Sequence, residues 1–162
     1  MAKSGNYFLE MVVKYGIYEP KMSEDGVQVI RERAAAIIIE NGALLVIHRI
    51  KNGREYYILP GGGIESGETV EAACLREMKE ETGLQVIQLY PVFAYNNHGN
   101  SETYFRVQVV TGKPILGKPE ADQHSPEDQY LLEWVTYDQL SKINLLPDAA
   151  KTLCLEIMQS IL

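Results

Sequence analysis

Basic residues are few in this sequence, cysteines fewer, and long apolar runs absent. Lysine and arginine number 15 against 22 aspartates and glutamates, giving a formal charge of -7. Nucleic acid polymers and anionic membranes are usually met by a basic patch, so neither is expected as a partner. The two cysteines, Cys74 and Cys154, form no CxxC pair and no zinc-like cluster, which suits a reducing cytoplasm. Nowhere do about 18 consecutive apolar residues suggest a membrane span, and the N-terminal stretch holds no run long enough for a signal peptide. A cytoplasmic protein is expected. Internal repeats, low-complexity tracts and Pro/Gly/Ser linkers are also missing.

What is present fits one domain. A chain of 162 residues can bury roughly 70% of its unfolded surface in a single core. Its 46% hydrophobic and 23% charged residues match an ordinary globular composition. Residues 1–30 carry only short apolar patches and a turn-like Ser23-Glu24-Asp25-Gly26. They read as an N-terminal extension, an added strand or helix packed on the domain formed by residues 31–162.

From Ala34 the patterning sharpens. The runs AAAIII and ALLVIHR flank Asn41-Gly42, the dipeptide that favours a two-residue hairpin turn. A second turn signal, Asn52-Gly53, precedes a short strand over residues 56–59 that Pro60 ends. A helix of about four turns is expected from Glu68 or Thr69 to Gly83, a residue suited to the left-handed position after a helix. Residues 84–95, interrupted by Pro91, and residues 103–110 read as strands of another hairpin across the Asn96–Asn100 turn cluster. Residues 111–128 form a long polar loop, of the kind that is often functional. A strand over 129–135 follows, then a capping-box signal at Thr136–Gln139 for a short helix. Pro147 suits the first turn of a last helix ending near Ile161.

The chemistry concentrates in Gly61–Leu84, GGGIESGETVEAACLREMKEETGL. Three glycines invite close approach to backbone, because glycine lacks a Cβ. At 100° per residue, Glu77, Glu80 and Glu81 fall within a helical arc of roughly 100°. Like charges at these spacings repel by a few tenths of a kcal/mol per pair on an exposed helix, a penalty that a divalent cation would reverse. Oxygen-only ligands indicate a hard ion, Mg²⁺, with Mn²⁺ as a substitute. The plainer alternative is a solvated face on which Arg76 pairs weakly with Glu80.

The spacing Gly62, five residues, Glu68, seven residues, then Arg76-Glu77-Met78-Lys79-Glu80-Glu81-Thr82-Gly83-Leu84 resembles a complete Nudix box. The lead-in Leu59-Pro60-Gly61-Gly62 and the later Glu133-Trp134-Val135 are similar to the family as well, so that the resemblance runs from about Arg33 to Ile161. It implies a Nudix-type α/β/α sandwich with a mixed central sheet, and hydrolysis of the diphosphate linkage of a nucleoside diphosphate derivative, such as a nucleotide sugar or a modified nucleoside triphosphate. By position it implies metal ligands at Glu77, Glu80, Glu81 and the Gly61 carbonyl. It also implies an ion pair between Glu68 and Arg76 that supports the loop.

A general base is still needed. Glu77, Glu120 and Glu127 are candidates, and Glu81 stands with Glu77 in the metal-assisted chemistry. Some relatives add a metal-binding glutamate from the strand matched to residues 103–110, where this chain offers neutral Gln108. Arg49 and Arg54 lie near the approach to the glycine loop and are candidates for substrate phosphates. Tyr57 stands where many relatives carry Trp, and Tyr104 could offer a face to a base, with core packing as its alternative duty. The three histidines belong to no metal-spaced cluster. The competing reading is a nucleotide-binding sensor that keeps the fold without turnover, against which three intact box glutamates argue. Residues 1–30 and the last helix could supply a homodimer surface.

Overall fold

The computed structural model describes residues 32–97, 100–117, 121 and 124–161. The expected extension over residues 1–30 therefore lies outside the described residues. The described strands are β1 (Glu32–Glu40), β2 (Ala43–Lys51), β3 (Arg54–Ile58), β4 (Gly61–Gly63), β5 (Gln85–Asn97), β6 (Asn100–Thr111), β7 (Asp128–Thr136) and β8 (Leu145–Leu146). The helices are α1 (Val70–Thr82), α2 (Tyr137–Lys142) and α3 (Asp148–Ile161). None of the described helices is long and apolar enough to cross a membrane.

The strands form one mixed sheet in the order β5-β6-β1-β2-β3-β8, with β4 paired to β1 and β7 to β2. Both Asn-Gly turns form as expected, with Asn41 and Asn52 at φ 50° and Gly42 and Gly53 at φ 76° and 75°, the positive angles that a type I′ hairpin requires. The first hairpin is shorter than its sequence suggests. Only Ile39–Leu44 and Glu40–Ala43 pair, after which β1 leaves β2 and runs parallel to β6 from Glu32–Ser101 to Ile38–Val107. The sheet opens there, and β4 fills the space beside β1, with Arg33 opposite Gly63 and Ala35 opposite Gly61.

Five consecutive buried residues, Ala34–Ile38, make β1 the central strand. Its side chains alternate between two cores, as a strand covered on both faces demands. Ala35 and Ile37 join Leu44, Val46, Leu59, Tyr104 and the α3 residues Ala150, Leu153, Cys154 and Met158. Ala34, Ala36 and Ile38 join Leu45, Phe105 and the α1 residues Ala73, Cys74 and Met78. The fold is thus an α/β/α sandwich, with α1 and α3 on opposite faces of the sheet.

Helix α1 starts and stops on local chemistry. The Thr69 hydroxyl accepts a hydrogen bond from the Ala72 amide at 3.1 Å, and Gly83 takes the left-handed conformation at φ 67°, as expected for these residue types. Pro91 does not interrupt β5. That strand lies at the sheet edge, where a missing N–H costs no ladder bond, and the pairing with β6 shifts register between Pro91 and Phe93. The capping box at Thr136 forms with Gln139, whose side chain accepts from the Thr136 amide at 2.8 Å. Pro147 immediately precedes α3, and its carbonyl accepts from Ala150 and Lys151.

Candidate functional site

The glycine loop is held between β1 and α1. The Gly61 amide donates to Glu81 Oε2 at 2.6 Å, and Glu81 itself is buried. A Cβ on Gly61 would lie 2.2 Å from the Ala34 carbonyl oxygen. On Gly62 it would lie 2.2 Å from the Glu77 carboxylate. Glycine at both positions thus lets backbone approach strand and helix more closely than any side chain would permit.

Arg76 ties the loop to the helix. Its Nε donates to Glu68 Oε1 at 2.9 Å and its Nη2 to Glu68 Oε2 at 3.0 Å, the two-pronged geometry suited to guanidinium and carboxylate. The same Nη2 reaches the Gly63 carbonyl at 2.8 Å, and Nη1 reaches Glu77 at 2.7 Å and Glu80 at 3.1 Å. Glu68 also accepts from the Glu65 amide at 3.1 Å. Hydrogen bonding to Arg76 holds the Glu68 carboxyl below its ordinary pKa. Glu68 first, then Glu77, pushes the guanidinium up. One cation thus contacts Glu68 and two of the three box glutamates, Glu77 and Glu80, and eases the repulsion between that pair.

The described residues bring together no three His, Cys, Asp or Glu side chains in an arrangement that could hold a metal ion as they stand. The donor chemistry still suits a hard divalent cation, since the available ligands are carboxylate and carbonyl oxygens. Glu77 lies in the space left by the absent Gly62 side chain. Glu80 is half exposed, at 48%, and has room to turn. Glu77, Glu80, Glu81 and the Gly61 carbonyl are thus the residues that could hold the ion.

The other candidates separate. Glu120 lies outside the described residues. Glu127 is exposed, and its carbonyl accepts from the Asn52 amide at 2.9 Å, which ties its backbone to the β2–β3 turn. Arg49 is buried at 6% exposure, donates to Asp128 Oδ1 at 2.7 Å and covers the Tyr130 ring with its Cζ 3.3 Å from the centroid. In this structure it packs and pairs, and a contact to substrate phosphate would require the Asp128 pair to open. Arg54 is exposed at the start of β3.

Tyr57 is half-buried and stacks on His48 with centroids 4.3 Å apart. Burial, then the charges of Glu133 and Glu55, raise its phenol above the ordinary pKa. His48 lies between those two carboxylates, 2.7 Å from each. Tyr104 is fully buried, and its hydroxyl donates to Glu102. Its ring has no exposed face in this structure and packs in the core beside Phe93.

Sequence reasoning missed two groups. Arg33 Nη2 donates to the carbonyls of Leu59 at 3.0 Å and Gly61 at 3.1 Å, while Glu102 is a buried carboxylate beside it. The available signal was a charge at the start of each of two apolar strands. The long loop also has an unforeseen structural part. The Ile115 amide donates to the Thr82 carbonyl at 2.8 Å and the Gly117 amide to the Glu81 carbonyl at 3.0 Å, which satisfies carbonyls left open at the end of α1.

The family model for the NUDIX domain matches residues 30–155. The chain belongs to the NUDIX family. A MutT-like protein of Streptomyces ambofaciens is 33% identical over 111 residues, covering 67% of this chain and 65% of the relative. An ADP-ribose pyrophosphatase of Methanocaldococcus jannaschii is 42% identical over 73 residues, covering 44% of this chain and 37% of the relative. The NUDIX chain thus spans less than two thirds of either relative. A solved MutT structure, from work on Aliivibrio salmonicida and Vibrio cholerae, superposes with a TM-score of 0.64 at 21% identity, over 80% of this chain and 98% of that one. At that identity the likeness is one of fold, and it agrees with the sandwich described above.

Proposed function

We propose that this NUDIX protein hydrolyses the diphosphate linkage of a nucleoside diphosphate derivative, a nucleotide sugar or a modified nucleoside triphosphate, with Mg²⁺ or in its place Mn²⁺. The observation that carries the reading is the double tie on the glycine loop, from Glu81 to the Gly61 amide and from Arg76 to the Gly63 carbonyl. That lock holds the glycine loop against the helix that carries Glu77, Glu80 and Glu81. When bound, a divalent cation would withdraw charge from the diphosphate and lower the pKa of a water.

The chain's own residues supply the positioning. Glu68 anchors Arg76 through two hydrogen bonds, and Arg76 in turn holds Glu77 and Glu80 on the side of the loop. Such support is what keeps ligand oxygens oriented. Glu77, in contact with the loop, is one candidate base to take a proton from water. Glu120 and Glu127 remain in the proposal as alternatives from the loop. Arg54 and Tyr57 offer an exposed cation and an aromatic face on β3. The proposal includes a cytoplasmic setting, in keeping with two buried free thiols, and a homodimer, which light scattering tests.

The deciding experiment is hydrolysis of a nucleotide panel with Mg²⁺ or Mn²⁺, with identification of the products. Cleavage of one class into a nucleoside monophosphate and its partner phosphate is expected. Tight nucleotide binding without turnover in either metal would favour the sensor reading instead. Normal turnover by Glu81→Gln would remove the proposed metal role of that residue.

A further inference from the structure

We propose that Arg33 is a positioning residue that clamps the Gly61 carbonyl from the sheet face opposite α1, and that Glu102 and Tyr104 hold Arg33 in place. The inference rests on the metal-assisted reading above. Its geometry comes from the strand register. Within β1, Arg33 stands between Gly63 of β4 and Glu102 of β6, each its direct cross-strand partner. Alternation along β1 puts Arg33 on the same face as Ala35 and Ile37, whose core includes α3 and Tyr104. Helix α1 packs against the other face, with Ala34 and Ala36.

Gly61 is consequently gripped on both sides of its Cα. Its amide donates to Glu81 Oε2 at 2.6 Å, and its carbonyl accepts from Arg33 Nη2 at 3.1 Å. The same nitrogen also serves the Leu59 carbonyl at 3.0 Å, so one guanidinium fixes the chain on both sides of Pro60. A carbonyl oxygen has two lone pairs. With one directed to Arg33, the other is left with a defined direction for a cation.

Two positive charges near one oxygen would repel, and a buried carboxylate near Arg33 relieves that cost. Glu102 is 5% exposed, with Oε2 at 3.9 Å from Arg33 Nη1, and the Tyr104 hydroxyl donates to that same Oε2. Tyr104 itself has no exposed surface, so its phenol is fixed by packing. The chain of contacts runs from a rigid core residue to a backbone oxygen of the candidate metal site. Nη2 serves both carbonyls while Nη1 of the same rigid plane faces Glu102, an arrangement that the freely rotating ammonium of lysine does not reproduce.

The test is Mn²⁺ affinity by electron paramagnetic resonance, with kcat and KM beside it, for the unaltered chain, Arg33→Lys and Tyr104→Phe. Leu153→Ala serves as a control that loosens the same core without touching the clamp. Arg33→Lys is expected to weaken Mn²⁺ binding about 10–100-fold, the range seen when residues supporting metal ligands are changed. Tyr104→Phe should shift it in the same direction by less, and Leu153→Ala should leave it in place. If Arg33→Lys does not fold, Tyr104→Phe carries the test alone. Mn²⁺ affinity unchanged in the variants, on a chain that binds the ion and hydrolyses nucleotide, overturns the clamp and leaves the proposed function standing. Failure of the unaltered chain to bind Mn²⁺ overturns both.

Discussion

The Glu77 carboxylate sits where a side chain on Gly62 would begin, with its Cδ and Oε1 both 2.2 Å from the position of a Cβ. The obstructing atoms are the far end of a flexible side chain, so a methyl group at Gly62 can be admitted if Glu77 swings away. The cost falls on the site and not on the fold. Gly62→Ala is therefore expected to melt within a few degrees of the unaltered protein while its Mg²⁺-dependent turnover drops about 10–100-fold, as for other disturbances of ligand support. Thermal melts and initial rates on one preparation check both halves, and retained turnover would show that the Glu77 position is not critical.

Gly117 presents the opposite case. A Cβ there would fall 1.5 Å from the Glu80 carbonyl oxygen, and backbone within a helix cannot step aside. Gly117→Ala should lift the loop from α1 and break the bonds from Ile115 to Thr82 and from Gly117 to Glu81. Two net hydrogen bonds at about 0.5–1.5 kcal/mol each predict a loss of about 1–3 kcal/mol, measurable as a lower urea midpoint. An unchanged midpoint would mean that this docking contributes nothing to stability.

These two glycines show what could be read in advance. Thr69 and Gly83 bounded α1, and Asn41-Gly42 and Asn52-Gly53 marked both tight turns, because caps and turns depend on dihedrals set by adjacent residues. The Glu68–Arg76 contact was legible for the same reason, since its spacing lies within one loop and one helix. Gly117 was visible only as a loop residue; the carbonyl that it must clear is 37 positions away in sequence, at Glu80. The departure of β1 to pair with β6, the two-residue β8 beside β3 and the Arg33–Glu102 contact all depend on long-range pairing that leaves no local period. The burial of Arg49 was not legible because it depends on Asp128 and Tyr130, which are 79 and 81 positions further on.

The Glu68–Arg76 pair gives the fold an acid-sensitive contact. Hydrogen bonding to Arg76 lowers the folded-state pKa of Glu68 from an ordinary value near 4.5. A carboxyl with a depressed folded pKa stabilises the fold above its unfolded pKa, and that contribution is lost as pH falls through the lower folded value. Glu68→Gln should therefore be less stable than the unaltered chain near neutrality, with the difference shrinking once pH drops below about 4.5. Urea midpoints for the two proteins across the acid range check this, and parallel profiles would exclude an ionic contribution from Glu68.

Cys74 and Cys154 should be inert to thiol reagents in the native state. Both are fully buried, and burial pushes each thiol up to about 12, with the nearby charges of Glu77 and Glu71 adding to the effect at Cys74. The thiolate is the reactive form, so little is present at neutral pH and none of it is accessible. Alkylation by iodoacetamide should be negligible for the folded chain and reach two equivalents in denaturant, matching the two cysteines of the sequence. Rapid modification of either thiol in the native protein would contradict the packing of α1 or α3 against the sheet.

Arg49 and Arg54 lie on neighbouring strands and should respond to substitution in opposite ways. Arg49 is buried, paired with Asp128 and stacked on Tyr130, so Arg49→Met removes a charged hydrogen bond and leaves the half-buried Asp128 without that partner. A loss of about 1.5–3 kcal/mol is expected, the usual range for hydrogen bonds to charged groups, with KM for the nucleotide little changed. Arg54 is exposed, where a substitution away from packed features usually changes stability by less than about 0.5 kcal/mol. If Arg54 meets substrate phosphates, Arg54→Ala should raise KM severalfold at low ionic strength and less at high salt, because exposed charges are screened. Denaturation curves together with KM at two salt concentrations separate the two roles. A raised KM with intact stability in Arg49→Met would return Arg49 to the substrate site and show that its pair with Asp128 opens when nucleotide binds.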